Sequence, residues 1–257
     1  MVKKYGLMGG SIKIVMSSIE SETESESMAS SKEPVCVEEI LDQTQFIADC
    51  LPSSLIRSTS YCHPCVVIAG SFALWLSLYK RKGYPPDWSP NDVDIFVTGR
   101  GANREVKFED VCQQFMARAE LKGYAVKSVK DRMNAYCVMG EEVRIVDVKL
   151  KNFRIPFSFI RYQHVSCGAR VVDKFDINIV QVWLDICSGE LNARDDVFYC
   201  IDNGIASVRD VIWRDATPTA FEQKRLAHTF FRMRKFTERG FTFEHPPFIV
   251  AGSEFML

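Results

Sequence analysis

Val66-Val-Ile-Ala-Gly-Ser-Phe-Ala-Leu-Trp75 is followed, with twenty residues between Ser71 and Asp92, by Asp92-Val-Asp-Ile-Phe-Val97. These two stretches decide how the chain is read. The run 66–69 is short and wholly apolar, the pattern of a buried strand. It stops at Gly70. Residues 71–81, Ser-Phe-Ala-Leu-Trp-Leu-Ser-Leu-Tyr-Lys-Arg, read as a helix that Gly83 ends. Tyr84-Pro-Pro-Asp-Trp-Ser-Pro90 is a loop. Residues 92–97 alternate as a second strand, ended by Gly99 and Gly101.

Each stretch carries chemistry of its own. Where a strand gives way to a helix, unpaired backbone N–H groups and the helix dipole favour an anion, typically phosphate. Gly70 allows close backbone approach, and Ser71 can cap the helix or touch a phosphate. The bland alternative is a turn with an ordinary N-cap. In a strand, side chains two apart share a face, so Asp92 and Asp94 are neighbours while Val93 and Ile95 pack on the other side. Paired carboxylates repel. They are either solvated, as on the wet face of an antiparallel sheet, or they hold a hard cation such as Mg²⁺.

Outward from this centre, residues 37–51 have mostly helical apolar spacing, and 108–122 form an amphipathic helix. Strand-like runs follow at 134–139, 143–150 and 157–164, with a fourth around 175–182. The remainder is mostly helical, with a long helix expected over 219–239. The order predicts an α/β (α+β) fold, a mixed β-sheet with helical cover. Residues 17–34 are low-complexity and nearly devoid of apolar side chains, so burial cannot offset the entropy of ordering them. The expected organisation is a disordered tail over 1–34, with Met28 inside it as a candidate start, an α/β core over 35–185, and a mainly helical region over 186–257 packed on that core.

In combination, strand, Gly-Ser, helix, loop and a hydrophobic–Asp–hydrophobic strand resemble the polymerase-beta-like nucleotidyltransferase superfamily. The residues that carry the resemblance are Ile68-Ala-Gly-Ser-Phe-Ala-Leu-Trp75 and Pro90-Asn-Asp-Val-Asp-Ile-Phe96. It covers residues 66–97 most strongly. Phe175-Asp-Ile-Asn-Ile179 and Arg239-Gly-Phe241 are similar to its viral and phage branch. The interval between Ser71 and Asp92 is longer than the family's usual one, and the loop 84–90 absorbs the excess. The resemblance implies that Gly70 and Ser71 grip a nucleoside triphosphate. It implies that Asp92 and Asp94 bind Mg²⁺ (or Mn²⁺), and that a later strand gives a third carboxylate. Two residues compete for that role: Asp176, in the Phe-Asp-Ile context, and Asp147, in Val143-Arg-Ile-Val-Asp-Val-Lys-Leu150. Asp176 is preferred on its context and its place after enough strands to close the sheet.

Arg225, His228, Arg232, Lys235 and Arg239 fall on one face of the last helix, and Leu226, Phe230 and Met233 on another. The basic face is either merely solvated or a cationic wall opposite the acidic pocket. As a wall it binds triphosphate, with Arg225 and Arg232 as the chosen contacts, or a polynucleotide backbone.

The composition agrees with an ordinary globular chain: 257 residues, 47% hydrophobic and 25% charged. A net charge of −1 excludes a uniformly basic nucleic-acid coat. Nine dispersed cysteines argue for a reducing, cytoplasmic compartment rather than a secreted disulfide scaffold. Cys62-His63-Pro64-Cys65 has no second pair to complete a zinc site. The apolar run 65–79 is shorter than the about 20 residues a membrane span needs, so no membrane association is expected. There is no P-loop and no G-x-S-x-G elbow. The expected activity is transfer of a nucleoside monophosphate from NTP to a hydroxyl acceptor, either a nucleic-acid end, a protein or a small molecule. The alternative is an inactive scaffold of the same fold that binds RNA or a protein partner.

Overall fold

The computed structural model describes residues 35–51, 66–98, 107–138, 141–162, 165, 168–194, 196–208 and 220–244. The low-complexity stretch before residue 35 and the Cys62–Cys65 pair lie outside the described residues.

The elements run α1 (Val37–Cys50), β1 (Val66–Ala69), α2 (Gly70–Lys82), β2 (Val93–Thr98), α3 (Phe108–Leu121), β3 (Val126–Val138), β4 (Glu141–Leu150), β5 (Phe157–Tyr162) and α4 (Gly168–Val172). After these come a 3₁₀ turn (Asn178–Val180), β6 (Val182–Asp185), β7 (Leu191–Ala193), α5 (Val197–Asn203), β8 (Ile205–Ala206), α6 (Ala220–Glu238) and β9 (Thr242–Phe243). Seven strands form one sheet in the order β3-β4-β5-β2-β1-β6-β7. The β2–β5 pairing is parallel and every other pairing in that sheet is antiparallel. The sheet is therefore mixed, with helices on it, and the expected α/β class holds.

Alternation along the strands divides the sheet into two faces. Val66, Ile68, Val93, Ile95, Val97, Val146, Val148, Phe157 and Phe159 point to a core shared with α1 and α3. Phe46 of α1 and Phe115 of α3 meet there with ring centroids 5.7 Å apart. On the other face Val67, Ala69, Phe96, Val143, Ile145 and Ile160 pack with Val171 and Val172 of α4. Residues 70–78 of α2 are buried all round, and only its last turn, with Lys80, Arg81 and Lys82, is exposed. Phe72, Trp75 and Leu76 join the first core, while Ala73, Leu74 and Leu78 join a further core with Ile177, Ile179, Val197, Met233 and Phe236. Gly83, at φ 76°, closes α2 in the left-handed conformation.

Two expectations are corrected. The strand foreseen around 175–182 is broken. Asn178 is buried, and its side-chain oxygen accepts the backbone N–H groups of Ile179 and Ser207, each at 2.8 Å. Local side-chain bonding of this kind competes with a ladder, so Asn178–Val180 turns and β6 starts only at Val182. The strand foreseen at 134–139 begins much earlier, at Val126. Its charged first half hides a strand that pairing with β4 creates at the sheet's edge. The sheet also takes β7 from beyond residue 185.

Among the described residues no helix is long and apolar enough to cross a membrane.

Candidate nucleotide and metal site

The site lies on the sheet face that carries Ala69 and Phe96, at the end where β1 passes into α2. Gly70 is the first residue of α2, with φ +75°. A Cβ there would stand 2.7 Å from Asp94 Oδ2, so Asp94 lies directly across the glycine's open side. Ala69 is paired with Asp94 in the β1–β2 ladder. Ser71 is buried. No side chain caps the start of α2, so the capping role allowed for Ser71 is not taken.

Pairing register extends the row. Asp94 on β2 faces Ser158 on β5, and Ser158 faces Asp147 on β4. Ser158 Oγ donates to Asp147 Oδ1 at 2.8 Å. Arg132 of β3 reaches the same carboxylate, with Nη2 2.7 Å from Oδ2. Lys130, also on β3, is the register partner of Asp147. One line across four strands thus reads Asp94, Ser158, Asp147, Lys130, with Asp92 two residues before Asp94 on the same side.

Both members of the acidic pair are half-buried. Burial raises the Asp92 carboxyl above its ordinary value; Lys235 draws it down, Asp147 pushes it up, and Arg239 and Arg132 draw it down. Burial holds Asp94 well above the usual carboxylate range, and the Asp92 charge adds to this. Lys235 and Arg132 oppose the rise, and Asp147 reinforces it. Asp147, Lys235 and Arg132 therefore act on both carboxylates of the pair, and Arg239 on Asp92.

Arg239 follows α6 and is held by the loop that lengthens the interval between Ser71 and Asp92. Its guanidinium carbon lies 3.8 Å above the Trp88 ring, and Nη2 donates to the Ser89 carbonyl at 3.4 Å. Trp75 Nε1 donates to the Trp88 carbonyl at 2.8 Å, which anchors the loop to α2. Burial pushes Arg239 down to about 10.

Asp176 is not part of this strand register. It is 5% exposed, and its Oδ2 accepts from Thr229 Oγ1 and Arg232 Nη2, both on α6. Asp176, the preferred third carboxylate of the sequence, is thus bonded to α6, whereas its competitor Asp147 shares the register row with Asp94. Asp147 is two strands from Asp94 in direct register, whereas both donors on Asp176 belong to a helix. Arg232 is likewise bound to Asp176, and the side chain of Arg225 lies outside the described residues. Met233 and Phe236 form the buried underside of α6, with Phe230 partly buried beside them.

The donor set suits a hard cation: carboxylate oxygens, half-buried, with a surplus of negative charge. Among the described residues no three His, Cys, Asp or Glu side chains are gathered into a ready-made metal centre. Ser158 lies between Asp94 and Asp147 in the row, and Arg132 and Ser158 already hold the oxygens of Asp147.

Sequence reasoning missed Ser158, Arg132 and Trp88. Ser158 had a signal, a small polar residue between two phenylalanines at a buried strand position. Arg132 and Trp88 had none, because their roles arise from pairing and packing.

Compared with known protein families and with curated protein sequences, the chain matches neither a family model nor a curated protein.

Proposed function

We propose that this chain is a metal-dependent nucleotidyltransferase, moving a nucleoside monophosphate from NTP to a hydroxyl acceptor. The observation that carries the reading is the register that lines up Asp94, Ser158 and Asp147, with Gly70 at the start of α2 lying against Asp94. The resemblance of residues 66–97 to the polymerase-beta-like superfamily points the same way.

In this reading Asp92, Asp94 and Asp147 hold Mg²⁺ or Mn²⁺. Such ions make an acceptor hydroxyl more acidic and neutralise charge on the departing pyrophosphate. The backbone N–H groups at Gly70-Ser71 receive phosphate oxygens, favoured by the dipole of α2. Lys235, whose charge acts on both carboxylates, and Arg239, whose charge acts on Asp92, take the triphosphate in place of Arg232, which is bound to Asp176. Asp147 is the group assigned to take the acceptor's proton, which it would do by giving up a bond that Oδ1 accepts from Ser158 Oγ or Arg132 Nη2.

One observation favours the alternative of an inactive scaffold that binds RNA or a protein: Arg132 neutralises Asp147. The discriminating experiment follows incorporation of α-labelled nucleotide over the four NTPs, with RNA ends, protein and small-molecule hydroxyls as acceptors. Transfer that requires Mg²⁺ or Mn²⁺ and vanishes in Asp92→Asn supports the enzyme. Binding of RNA or a protein partner without transfer supports the scaffold.

A further inference from the structure

Helix α6 is fastened at two points. At its middle, Thr229 and Arg232 both donate to Asp176 Oδ2. Just past its end, Arg239 lies on Trp88 and bonds to Ser89. Lys235 falls between the two fastenings, one helical turn from Arg232 and one from Arg239, and its charge acts on both Asp92 and Asp94. Beneath the helix Met233 and Phe236 are buried, a non-directional contact that holds it down. The bonds to one buried carboxylate add a directional constraint on its position.

Asp176 also has a fixed address on the sheet side. The preceding ring, Phe175, meets Phe96 of β2 at 5.5 Å between centroids, two residues beyond Asp94. The Phe175 carbonyl accepts from Gln181 Nε2 at 2.9 Å. Asp176 therefore links the strand that carries the acidic pair to the helix that carries the cations.

We infer that Asp176 is a positioning residue for the triphosphate: it clamps α6 through Arg232 and Thr229 so that Lys235 and Arg239 stand across from Asp92 and Asp94. This deepens the nucleotidyltransferase reading and rests on it for the identity of the ligand. It gives the Phe-Asp-Ile stretch a role other than metal ligation.

The asymmetry of the carboxylate supplies the test. Oδ2 takes both donors, while Oδ1 is buried without a hydrogen-bond partner. Asp176→Asn can thus keep an acceptor oxygen for Thr229 and Arg232 while it removes the charge and sets an amide NH2 where Oδ1 has no partner. An amide is a poor substitute for a carboxylate on a hard cation, so a metal-ligand role and a clamp role separate in this one variant. Wild type, Asp176→Asn, Asp176→Ala and Asp147→Asn are compared by Mn²⁺ titration, by binding of Mn²⁺–ATP and the other three Mn²⁺–NTPs, and by hydrogen exchange along α6.

Asp176→Asn is expected to bind Mn²⁺ as wild type does and to bind Mn²⁺–NTP roughly three- to tenfold more weakly, the scale of losing one charge-assisted contact. Asp176→Ala is expected to speed exchange of the α6 amides by about tenfold or more, because the helix then opens locally. Asp147→Asn is expected to lose Mn²⁺ and leave α6 exchange unchanged. If Asp176→Asn loses Mn²⁺ as Asp147→Asn does, Asp176 is a ligand and the inference is overturned. Unchanged α6 exchange in Asp176→Ala also overturns it, as does NTP affinity that stays at the wild-type level while α6 loosens. Failure of the wild type to bind Mn²⁺ or any NTP overturns the nucleotidyltransferase reading instead, while exchange along α6 still decides whether the clamp exists.

Discussion

Asp94 Oδ2 lies 2.7 Å from the point where a Cβ on Gly70 would stand, and Gly70 sits at φ +75°. Two separate physical requirements thus fall on one glycine. The left-handed conformation costs an L-residue about 1–2 kcal/mol. The close approach leaves no room for a methyl group unless the Asp94 carboxylate swings away. Gly70→Ala is expected to lower stability by about that conformational cost and to weaken Mn²⁺ binding more than the stability loss explains. Urea unfolding and Mn²⁺ titration of the variant check this. Wild-type behaviour in both would show that the contact between residues 70 and 94 has no consequence.

The acidic pair opposes folding at neutral pH. The folded-state value of Asp94 lies well above its ordinary 3.8 because of burial and Asp92. A carboxyl raised on folding contributes stability that is present below pH 3.8 and is lost as pH rises through the folded value. At pH 7 the ionised group is therefore a liability. Asp94→Asn should raise the melting temperature of the ligand-free protein at pH 7, by about 2–4 °C for each kcal/mol relieved. The gain should shrink as the scan is repeated at acid pH. A variant that melts lower than wild type at pH 7 would contradict this electrostatic account.

Arg239 and Trp88 join the loop to the end of α6. Arg239→Ala should cost about 0.5–2 kcal/mol for the partly desolvated cation–π contact and remove one of the charges that favours ionised Asp92. Arg239→Lys keeps a charge but loses the flat guanidinium that stacks. Its stability should therefore fall nearly as far as that of the alanine variant. Thermal melts of the two side by side decide the point. Full stability in Arg239→Lys would mean that charge alone, not stacking, fastens the loop.

The cysteines report on the helical layer. Burial pushes the Cys50 thiol up to about 11 and the Cys112 thiol up to about 12, whereas Cys36 is exposed. Thiolate is the reactive form. At pH 8, iodoacetamide should modify Cys36 quickly and leave Cys50 and Cys112 untouched until denaturant is added, as read by peptide mass mapping. Fast labelling of Cys112 in native buffer would show that α3 is not packed on the sheet.

The centre of the fold was readable because short-range pattern and long-range packing agree there. The apolar run 66–69, the Gly70 break and the Gly83 stop each specify their own conformation, and the structure follows them. The first half of β3 was not readable. Lys127, Lys130 and Asp131 lack the alternation of a half-buried strand, and only the ladder to β4 makes the segment extended. Asn178 defeated the reading in the opposite sense: a β-like run is interrupted by one buried amide whose oxygen captures two backbone donors. Within the site, Asp92 and Asp94 could be picked out because period two puts them on one face. The sequence context prefers Asp176 to Asp147, whereas the place of Asp147 in the row depends on which strand lies beside β5. Sequence spacing carries no information about that register.

The central claim is that Asp92, Asp94 and Asp147 hold divalent cations together with a nucleoside triphosphate. Its most direct measurement is Mn²⁺ binding, followed by the paramagnetic signal of the free ion, with and without each NTP, in wild type and in Asp94→Asn/Asp147→Asn. The account predicts that wild type takes up Mn²⁺ more tightly when a triphosphate is present, since the ions bridge both partners. It predicts that the double variant loses this uptake while keeping its folded circular dichroism spectrum. Mn²⁺ uptake that is absent in wild type with every NTP, or equal in wild type and double variant, would contradict it.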